Sequence, residues 1–278
     1  MLLESNSEGL GDIASIFDNM KGGTCFTSFD LASGVIQLEI AEEDKHKTAF
    51  RDAQGELWEF NRRGFGLTTL PSGFAAYVGE ELDPLKGNCV QYWLDDIIVH
   101  TRHVDGHVDL AGDVLARLHQ FGLSANLAKS IWCAPQQVYI GLVVSRLGVK
   151  PSRAKIEAVA NLAHASTVEE VRSLLGMGSY LRKFVRGYSS LVVPISDLLR
   201  SKRFASKRER RLPVLWGAEQ DKALKALIEF LTSPPILALL DWEATFQLHT
   251  EDGELGAGAA LTHDTRETER VIGYASHR

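Results

Sequence analysis

Two adjacent acidic residues, Asp95 and Asp96, interrupt an otherwise apolar run and constrain this chain more than any other feature. The β-branched residues at 97–99 predict that a short buried strand follows them. Carboxylates between apolar strands are costly to bury unless a cation neutralises them, and Mg²⁺ binds protein carboxylates together with phosphate oxygens. Asp30, at the end of a second apolar run, is the candidate for a third acid.

An Asp-Asp pair has a second interpretation, since aspartate is common in solvated hairpin turns that carry no chemistry. Composition does not decide between the two. The net charge of −6 and the pI of about 5.9 require that any nucleic-acid binding use local basic patches. The clearest patch is segment 201–213, which predicts a linker that binds phosphates, acts as a solvated tether or resembles a nuclear-targeting run.

The cysteines and histidines are the other candidate metal ligands in the sequence. Cys25, Cys89 and Cys133 are far apart and form no C-x-x-C pair, which predicts an intracellular chain without a disulfide framework or zinc site. His103 and His107 could share a helical face, but with no cysteine or further ligand nearby a solvated helix start is favoured. No apolar run approaches the roughly 18 residues of a membrane span, so no membrane association is expected.

Hydrophobic periodicity and turn signals predict mixed secondary structure. Strands are expected at 25–31, 35–40, 48–51, 57–61, 97–99, 137–145, 245–250, 256–262 and 270–275. Helices are expected at 12–20, 71–81, 108–121, 152–162 and 217–231, with a further helix beginning at a capping box formed by Thr167 and Glu170.

Eight segments in sequence order resemble the reverse transcriptase of gypsy-type LTR retrotransposons. With the family's motifs in parentheses, they are residues 29–34 (LDLxSG), 47–50 (KTAF), 65–74 (PFGLxNAPATF), 94–97 (YxDDI), 139–141 (YLG), 148–151 (GIxP), 171–176 (LRSFLG) and 231–237 (LTSPPVL). Each motif alone is weak. The ordered set is specific and covers nearly the whole chain.

This resemblance implies an α+β fold: a right-hand polymerase palm with an antiparallel sheet and packed helices, a helical thumb, and a truncated RNase H-like α/β domain. The palm and partial fingers would span 1–145, the thumb and connection helices 146–200, the basic linker 201–213 and the RNase H-like domain 214–278. The strands that precede the first catalytic strand in the family have no counterpart here, so we expect a fragment or a degraded copy.

The resemblance also implies an RNA-directed DNA polymerase that adds dNTPs to a primer on an RNA or DNA template, with Mg²⁺ or Mn²⁺. The catalytic and metal-binding residues would be Asp30, Asp95 and Asp96. Nucleotide binding would involve Leu31, Ser33, Gly34, Val35, Phe65 and Gly66, and primer binding would involve Tyr139, Ile140, Gly141 and Lys150.

Several positions depart from the family's pattern. Trp93 replaces a tyrosine, Ala75 replaces a glutamine and Gly64 replaces a proline. Val35 stands where polymerases of this type usually have the Tyr or Phe that excludes the 2′-hydroxyl, so weaker sugar discrimination is expected. A non-catalytic nucleic-acid-binding remnant and a purely structural remnant stay open as alternatives to an active polymerase.

The C-terminal segment resembles the start of an RNase H-like domain. Glu251, or Asp252 shifted by one residue, stands in place of the family's first metal-binding Asp. The later acids of that site would lie beyond Arg278, and hydrolysis with two metal ions needs several carboxylates. RNase H activity is therefore not expected.

Overall fold

The computed structural model describes residues 13–32, 34–62, 70–85, 89–162, 165–200, 211–253, 256–265 and 268–277. It contains two units, Met1–Ile140 and Gly141–Arg278. Ser33, Phe65, Gly66 and positions 201–210 of the expected linker lie outside the described residues, as do the side chains of Gly34 and Val35. No helix among the described residues is both long enough and apolar enough to cross a bilayer.

Among its described residues, the first unit contains three α-helices and seven strands. The helices are α1 (Ile13–Asn19), α2 (Leu70–Leu82) and α3 (His107–Gln120). The strands are β1 (Cys25–Asp30), β2 (Phe50–Arg51), β3 (Leu57–Trp58), β4 (Val90–Trp93), β5 (Asp96–Thr101), β6 (Ile131–Ala134) and β7 (Gln136–Tyr139). All three helices were predicted, and each end differs from the predicted one by one residue.

The central sheet of this unit has the strand order β4-β5-β1-β6, and its neighbouring strands are antiparallel. Ile97, Ile98 and Val99 in β5 are all fully buried, which confirms the predicted strand after the acidic pair. The turn between β4 and β5 contains Leu94 in the left-handed region, with a φ of 55°. Strands β4 and β5 are antiparallel, with Trp93 opposite Asp96, so the acidic pair lies at the turn of a hairpin.

The amphipathic helices α2 and α3 pack on this sheet through their apolar stripes. Their buried core residues are Phe74, Val78 and Leu82 from α2 and Ala111, Val114 and Leu118 from α3. They form one cluster with Phe29, Ile97 and Val99 of the sheet. Burial of each of the larger side chains in this cluster stabilises the fold by about 1.5–3 kcal/mol. This packing therefore fixes the position of the strand ends that carry the acidic residues.

The predicted strand at 35–40 is wrong. Residues Gly34–Gln37 form a 3₁₀ helix, and Glu42–Thr48 form another. Only Leu38 among residues 36–40 is buried, so apolar alternation there did not reflect a sheet face. The side-chain amide of Gln37 instead accepts a 2.6 Å hydrogen bond from the backbone N–H of Ser124, and this tertiary contact favours the turn over extended structure.

The second unit contains five helices and five strands among its described residues. The helices are α4 (Arg153–Ala160), α5 (Val168–Leu181), α6 (Tyr188–Leu191), α7 (Val193–Asp197) and α8 (Ala218–Thr232). The strands are β8 (Leu142–Ser145), β9 (Gly148–Pro151), β10 (Thr245–Gly253), β11 (Gly256–Thr265) and β12 (Thr268–His277). Strands β8 and β9 form a hairpin, and β10, β11 and β12 form an antiparallel sheet.

Two sequence signals in this part of the chain are confirmed and one is wrong. The Thr167 hydroxyl accepts from the Glu170 N–H at 3.3 Å, and the Glu170 carboxylate accepts from the Thr167 N–H at 3.0 Å, which is the predicted capping box. The three predicted C-terminal strands are present. A continuous strand at 137–145 is wrong, because Ile140 and Gly141 have φ values of 48° and 78° and interrupt it.

Candidate functional site

The structure brings the three predicted acids to one end of the central sheet. Asp30 is the last residue of β1 and Asp96 is the first of β5, and the two are direct partners in the antiparallel register. Asp95 lies in the turn before β5, and its carbonyl accepts a 3.1 Å hydrogen bond from the Leu31 N–H. The pairing of these two strands thus brings together two acidic residues that lie 66 positions apart in the sequence.

The electrostatics of this carboxylate cluster (Asp30, Asp95 and Asp96) favour a positive charge. Partial burial raises the pKa of Asp96 above its ordinary value, and the neighbouring charges of Asp95 and Asp30 raise it further. The ammonium of Lys129 lies 3.2 Å from an Asp30 carboxylate oxygen. The sequence analysis missed Lys129, because nothing in its local pattern reveals that it returns to the end of β1.

The donor atoms of the carboxylate cluster are hard oxygens, which suit Mg²⁺ or Mn²⁺. Reverse transcriptases generally use divalent metal ions, and Asp30, Asp95 and Asp96 are the residues that fit one here. Their oxygens are more widely spread than a tight ligand set, since in the described residues only Cys25, His107 and Cys133 place ligand atoms within 4.8 Å of one another.

Tyr139 holds the backbone of the hairpin that carries two residues of the carboxylate cluster. Its hydroxyl donates a 3.1 Å hydrogen bond to the carbonyl of Asp96, and its ring contacts Phe17 edge-on. The side chain is only 3% exposed, and burial raises its pKa well above 10, so the hydroxyl keeps its proton. The predicted primer-binding residue Tyr139 thus points inward, toward the backbone of the acidic hairpin.

The other predicted primer-binding residues lie close by in sequence. Ile140 follows Tyr139 in the first unit, whereas Gly141 and Lys150 belong to the second unit. Lys150 is exposed, as a phosphate-binding lysine must be. Gly141 has a φ of +78°, which favours glycine, and the Lys155 side chain lies against its Cα.

The segment after Asp30, predicted to bind nucleotide, is held by backbone contacts. Leu31 is buried, and the Ala32 N–H donates 2.8 Å to the carbonyl of Ser124. The amide of Gln37 both donates to that carbonyl, at 3.2 Å, and accepts from the Ser124 N–H. Gln37 is a second residue that sequence reasoning missed, because its partner lies 87 positions away.

The degenerate RNase H-like residues lie on β10. Glu251 pairs in register with Gly258, and Asp252 pairs with Ala257. The Glu251 carboxylate forms an ion pair with the guanidinium of Arg186. Arg186 therefore neutralises Glu251, one of the two acids predicted to stand in place of the family's first metal-binding Asp.

An antiparallel sheet with acids at one end and helices packed against it is the arrangement expected of a polymerase palm. Residues 1–144 match the family model described as reverse transcriptase (RNA-dependent DNA polymerase). Residues 216–278 match an RNase H-like domain found in reverse transcriptase. The chain belongs to the reverse transcriptase family, as its ordered motifs predicted.

Curated relatives are retrotransposon polyproteins. The chain is 31% identical over 267 residues to the retrovirus-related Pol polyprotein from transposon opus of Drosophila melanogaster, covering 95% of this chain and 26% of that protein. It is 30% identical over 254 residues to the transposon Tf2-3 polyprotein of Schizosaccharomyces pombe, covering 91% of this chain and 18% of that protein. The chain thus spans about a quarter or less of these relatives.

Solved structures of retroviral enzymes share the fold. A foamy viral protease-reverse transcriptase in complex with double-stranded DNA aligns with a TM-score of 0.82 at 21% identity, covering 96% of this chain and 45% of that one. The same viral enzyme in complex with an RNA/DNA hybrid aligns with a TM-score of 0.80, covering 96% of this chain and 35% of that one. These alignments confirm the α+β polymerase fold predicted from the sequence.

Proposed function

We propose that this chain is the polymerase portion of a retrotransposon Pol polyprotein and catalyses RNA-directed DNA synthesis. The observation that carries the proposal is the register pairing of Asp30 with Asp96, beside Asp95, in a reverse transcriptase palm. The proposed substrates are dNTPs and a primer paired to an RNA or DNA template, which agrees with the nucleic acids held by the related viral enzymes.

The reaction joins the primer 3′-oxygen to the α-phosphorus of a dNTP and breaks the bond to pyrophosphate. Bound Mg²⁺ or Mn²⁺ supplies charge stabilisation for the attacking and leaving oxygens. In this chain, Asp30, Asp95 and Asp96 would hold the metal. The backbone from Leu31 to Val35, anchored through Gln37, would orient the triphosphate.

The remaining residue roles and boundaries extend this proposal. The palm and partial fingers would span 1–145, the thumb helices 146–200, the linker 201–213 and the RNase H-like segment 214–278. Lys150 and the backbone at 140–141 would contact the primer. The basic linker would contribute phosphate contacts that the net charge of −6 does not otherwise supply.

Primer extension tests the proposal. The purified chain receives an RNA template, a DNA primer, dNTPs and Mg²⁺ or Mn²⁺, beside the double variant Asp95→Asn/Asp96→Asn. The matched control is Asp109→Asn/Asp113→Asn, which changes two exposed acids in α3. Extension by the wild type and the control, but not by the site variant, supports the proposal.

Template–primer binding without extension would instead favour a non-catalytic remnant. That outcome is measured in the same samples by the salt dependence of binding, since phosphate contacts weaken steeply as salt rises. Binding that is independent of Mg²⁺, with no product from a folded chain, contradicts the proposed catalysis.

A further inference from the structure

Three soft metal ligands that are distant in sequence meet at the other end of β1 from the carboxylate cluster. They are Cys25 at the start of β1, His107 at the start of α3 and Cys133 in β6. One ligand atom from each lies within 4.8 Å of the other two. Cys25 and His107 are buried, whereas Cys133 is exposed, so the group opens to solvent on one side only.

This arrangement corrects two expectations from the sequence. His107 was expected at a solvated helix start, but it is fully buried, while His103 lies outside α3. No cysteine was expected near it, yet β1 and β6 are paired strands that bring Cys25 and Cys133 together. Local spacing cannot reveal such a cluster, because strand pairing assembles it.

Hydrogen bonds assign the protonation of His107. The Thr101 hydroxyl donates to the carbonyl of His103 at 2.6 Å, so its oxygen must accept from His107 Nδ1, 2.8 Å away. Burial lowers the pKa of His107, which favours the neutral ring. The proton therefore sits on Nδ1, and the Nε2 lone pair faces the Thr27 hydroxyl at 2.7 Å.

A neutral ring with its proton on only one nitrogen is the state that a metal-binding histidine requires. Histidine ligands bind through one nitrogen while the other donates to a fixed partner, which orients the ring. Here Thr101 is that partner, and Nε2 accepts from the Thr27 hydroxyl, so a metal would reach Nε2 only after the Thr27 side chain turned about χ1. The Thr27 hydroxyl also accepts the Cys133 N–H at 3.0 Å, which ties the third ligand to the same network.

We propose that Cys25, His107 and Cys133 form a binding site for a thiophilic divalent ion, best satisfied by Zn²⁺, with water as the fourth ligand. Two sulfurs on a tetrahedral Zn²⁺ lie ~3.8 Å apart, given Zn–S bonds of ~2.3 Å, so a small contraction completes the set. Thiolate and imidazole ligands favour zinc over the hard Mg²⁺ that suits the carboxylate cluster.

Binding releases the two thiol protons to solvent as the Zn–S bonds form. Burial, together with the nearby Cys133 thiol, raises the pKa of the Cys25 thiol to about 11, so the metal must displace a bound proton there. The bound ion would tie β1, β6 and α3 together. This role goes beyond polymerase chemistry and does not depend on it.

Titration of the reduced, metal-free full chain with Co²⁺ tests the site. Cobalt bound by thiolates gives an intense charge-transfer absorption that oxygen ligands do not give, and competing Zn²⁺ removes it. The variants are Cys25→Ser and Cys133→Ser, and the matched control is Cys89→Ser, since Cys89 is outside the cluster. Circular dichroism verifies that each variant is folded.

We expect one equivalent of Co²⁺ with thiolate absorption in the wild type and in Cys89→Ser. Loss of either cluster thiolate should weaken binding by at least about 100-fold, more than loss of an outer-shell partner costs. No thiolate absorption in the reduced wild type would overturn the proposal, as would equal affinity in folded Cys133→Ser. A Cys25–Cys133 disulfide without metal binding after reduction would overturn it as well.

Discussion

The Tyr139 hydroxyl donates its hydrogen bond to the backbone carbonyl of Asp96, the first residue of β5. A side chain at the end of β7 thereby holds the hairpin that carries two of the three acids. Since the Tyr139 side chain is buried, this bond is partly shielded from solvent, and it fixes the backbone from which the Asp96 carboxylate projects.

Replacing Tyr139 by phenylalanine tests that relationship. The variant removes one hydrogen bond of a buried side chain, so the free energy of unfolding should fall by about 0.5–1.5 kcal/mol. Nucleotide incorporation should fall with it, because the hairpin loses its support. Urea denaturation measures the first effect. Tyr274→Phe in β12 is the matched control, and an equal change in both variants would contradict the assigned role.

The raised pKa of Asp96 predicts a pH-dependent effect on stability. A carboxyl whose pKa is raised in the folded state binds more protons there, so its ionisation costs stability as the pH rises above the unfolded value of about 3.9. Asp96→Asn removes that cost. The variant should be more stable than the wild type at neutral pH, and the difference should shrink toward zero as both states of Asp96 become protonated.

Denaturation of the wild type and of Asp96→Asn, at pH values from below about 3.9 up to neutral, measures this difference in stability. Asp113→Asn, an exposed change in α3, is the control and should show no comparable pH dependence. Greater stability of the wild type at neutral pH would contradict the electrostatic account. Added Mg²⁺ should stabilise the wild type more than Asp96→Asn, because the cation offsets the repulsion among the carboxylates.

Substitution of Gly148 tests how closely the backbone packs in the second unit. Its φ is +125°, and a Cβ atom would lie 2.0 Å from the carbonyl oxygen of Leu237, a backbone atom that cannot rotate away. Gly148→Ala should destabilise the protein by about 3 kcal/mol or more, from strain and overpacking together. Gly112→Ala in α3, where a Cβ meets nothing, should instead stabilise by up to about 1 kcal/mol. Thermal or urea unfolding distinguishes them.

Much of this fold could be predicted from local sequence patterns. The acidic hairpin follows from apolar runs on either side of Asp95 and Asp96, and α3 follows from its apolar stripe. The capping box at Thr167 was predictable because its two hydrogen bonds join residues only three positions apart. In each case the interactions that decide the structure are local or follow the hydrophobic period.

The structural features that were not predicted depend on contacts between residues far apart in the sequence. The turn at Gly34–Gln37 is decided by Gln37 and its bonds to Ser124, which override the β propensity of Val35 and Ile36. The Lys129 pairing with Asp30 and the Cys25–His107–Cys133 cluster likewise arise from strand pairing. The site residues themselves were predicted by resemblance to ordered family motifs, because composition alone opposes nucleic-acid binding.

Val35 predicts the sugar preference of the polymerase. The family's aromatic residue at this position excludes the ribose 2′-hydroxyl, and valine is smaller. Val35→Tyr should therefore raise the preference for dNTPs over rNTPs, measured as the ratio of the two kcat/KM values; a change of about tenfold corresponds to ~1.4 kcal/mol. Ile36→Leu is a neighbouring control. An unchanged ratio would contradict the assignment of Val35 to the sugar site.

The most direct test of the account is incorporation of a single dNTP onto a primer–template by the wild type and by Asp30→Asn, with and without Mg²⁺ or Mn²⁺. We predict metal-dependent incorporation by the wild type and a loss of at least about 100-fold in Asp30→Asn, because transition-state charge stabilisation is lost. Asp113→Asn should match the wild type. Equal rates in the wild type and Asp30→Asn, or no incorporation by a folded chain that binds the primer–template, would contradict the account.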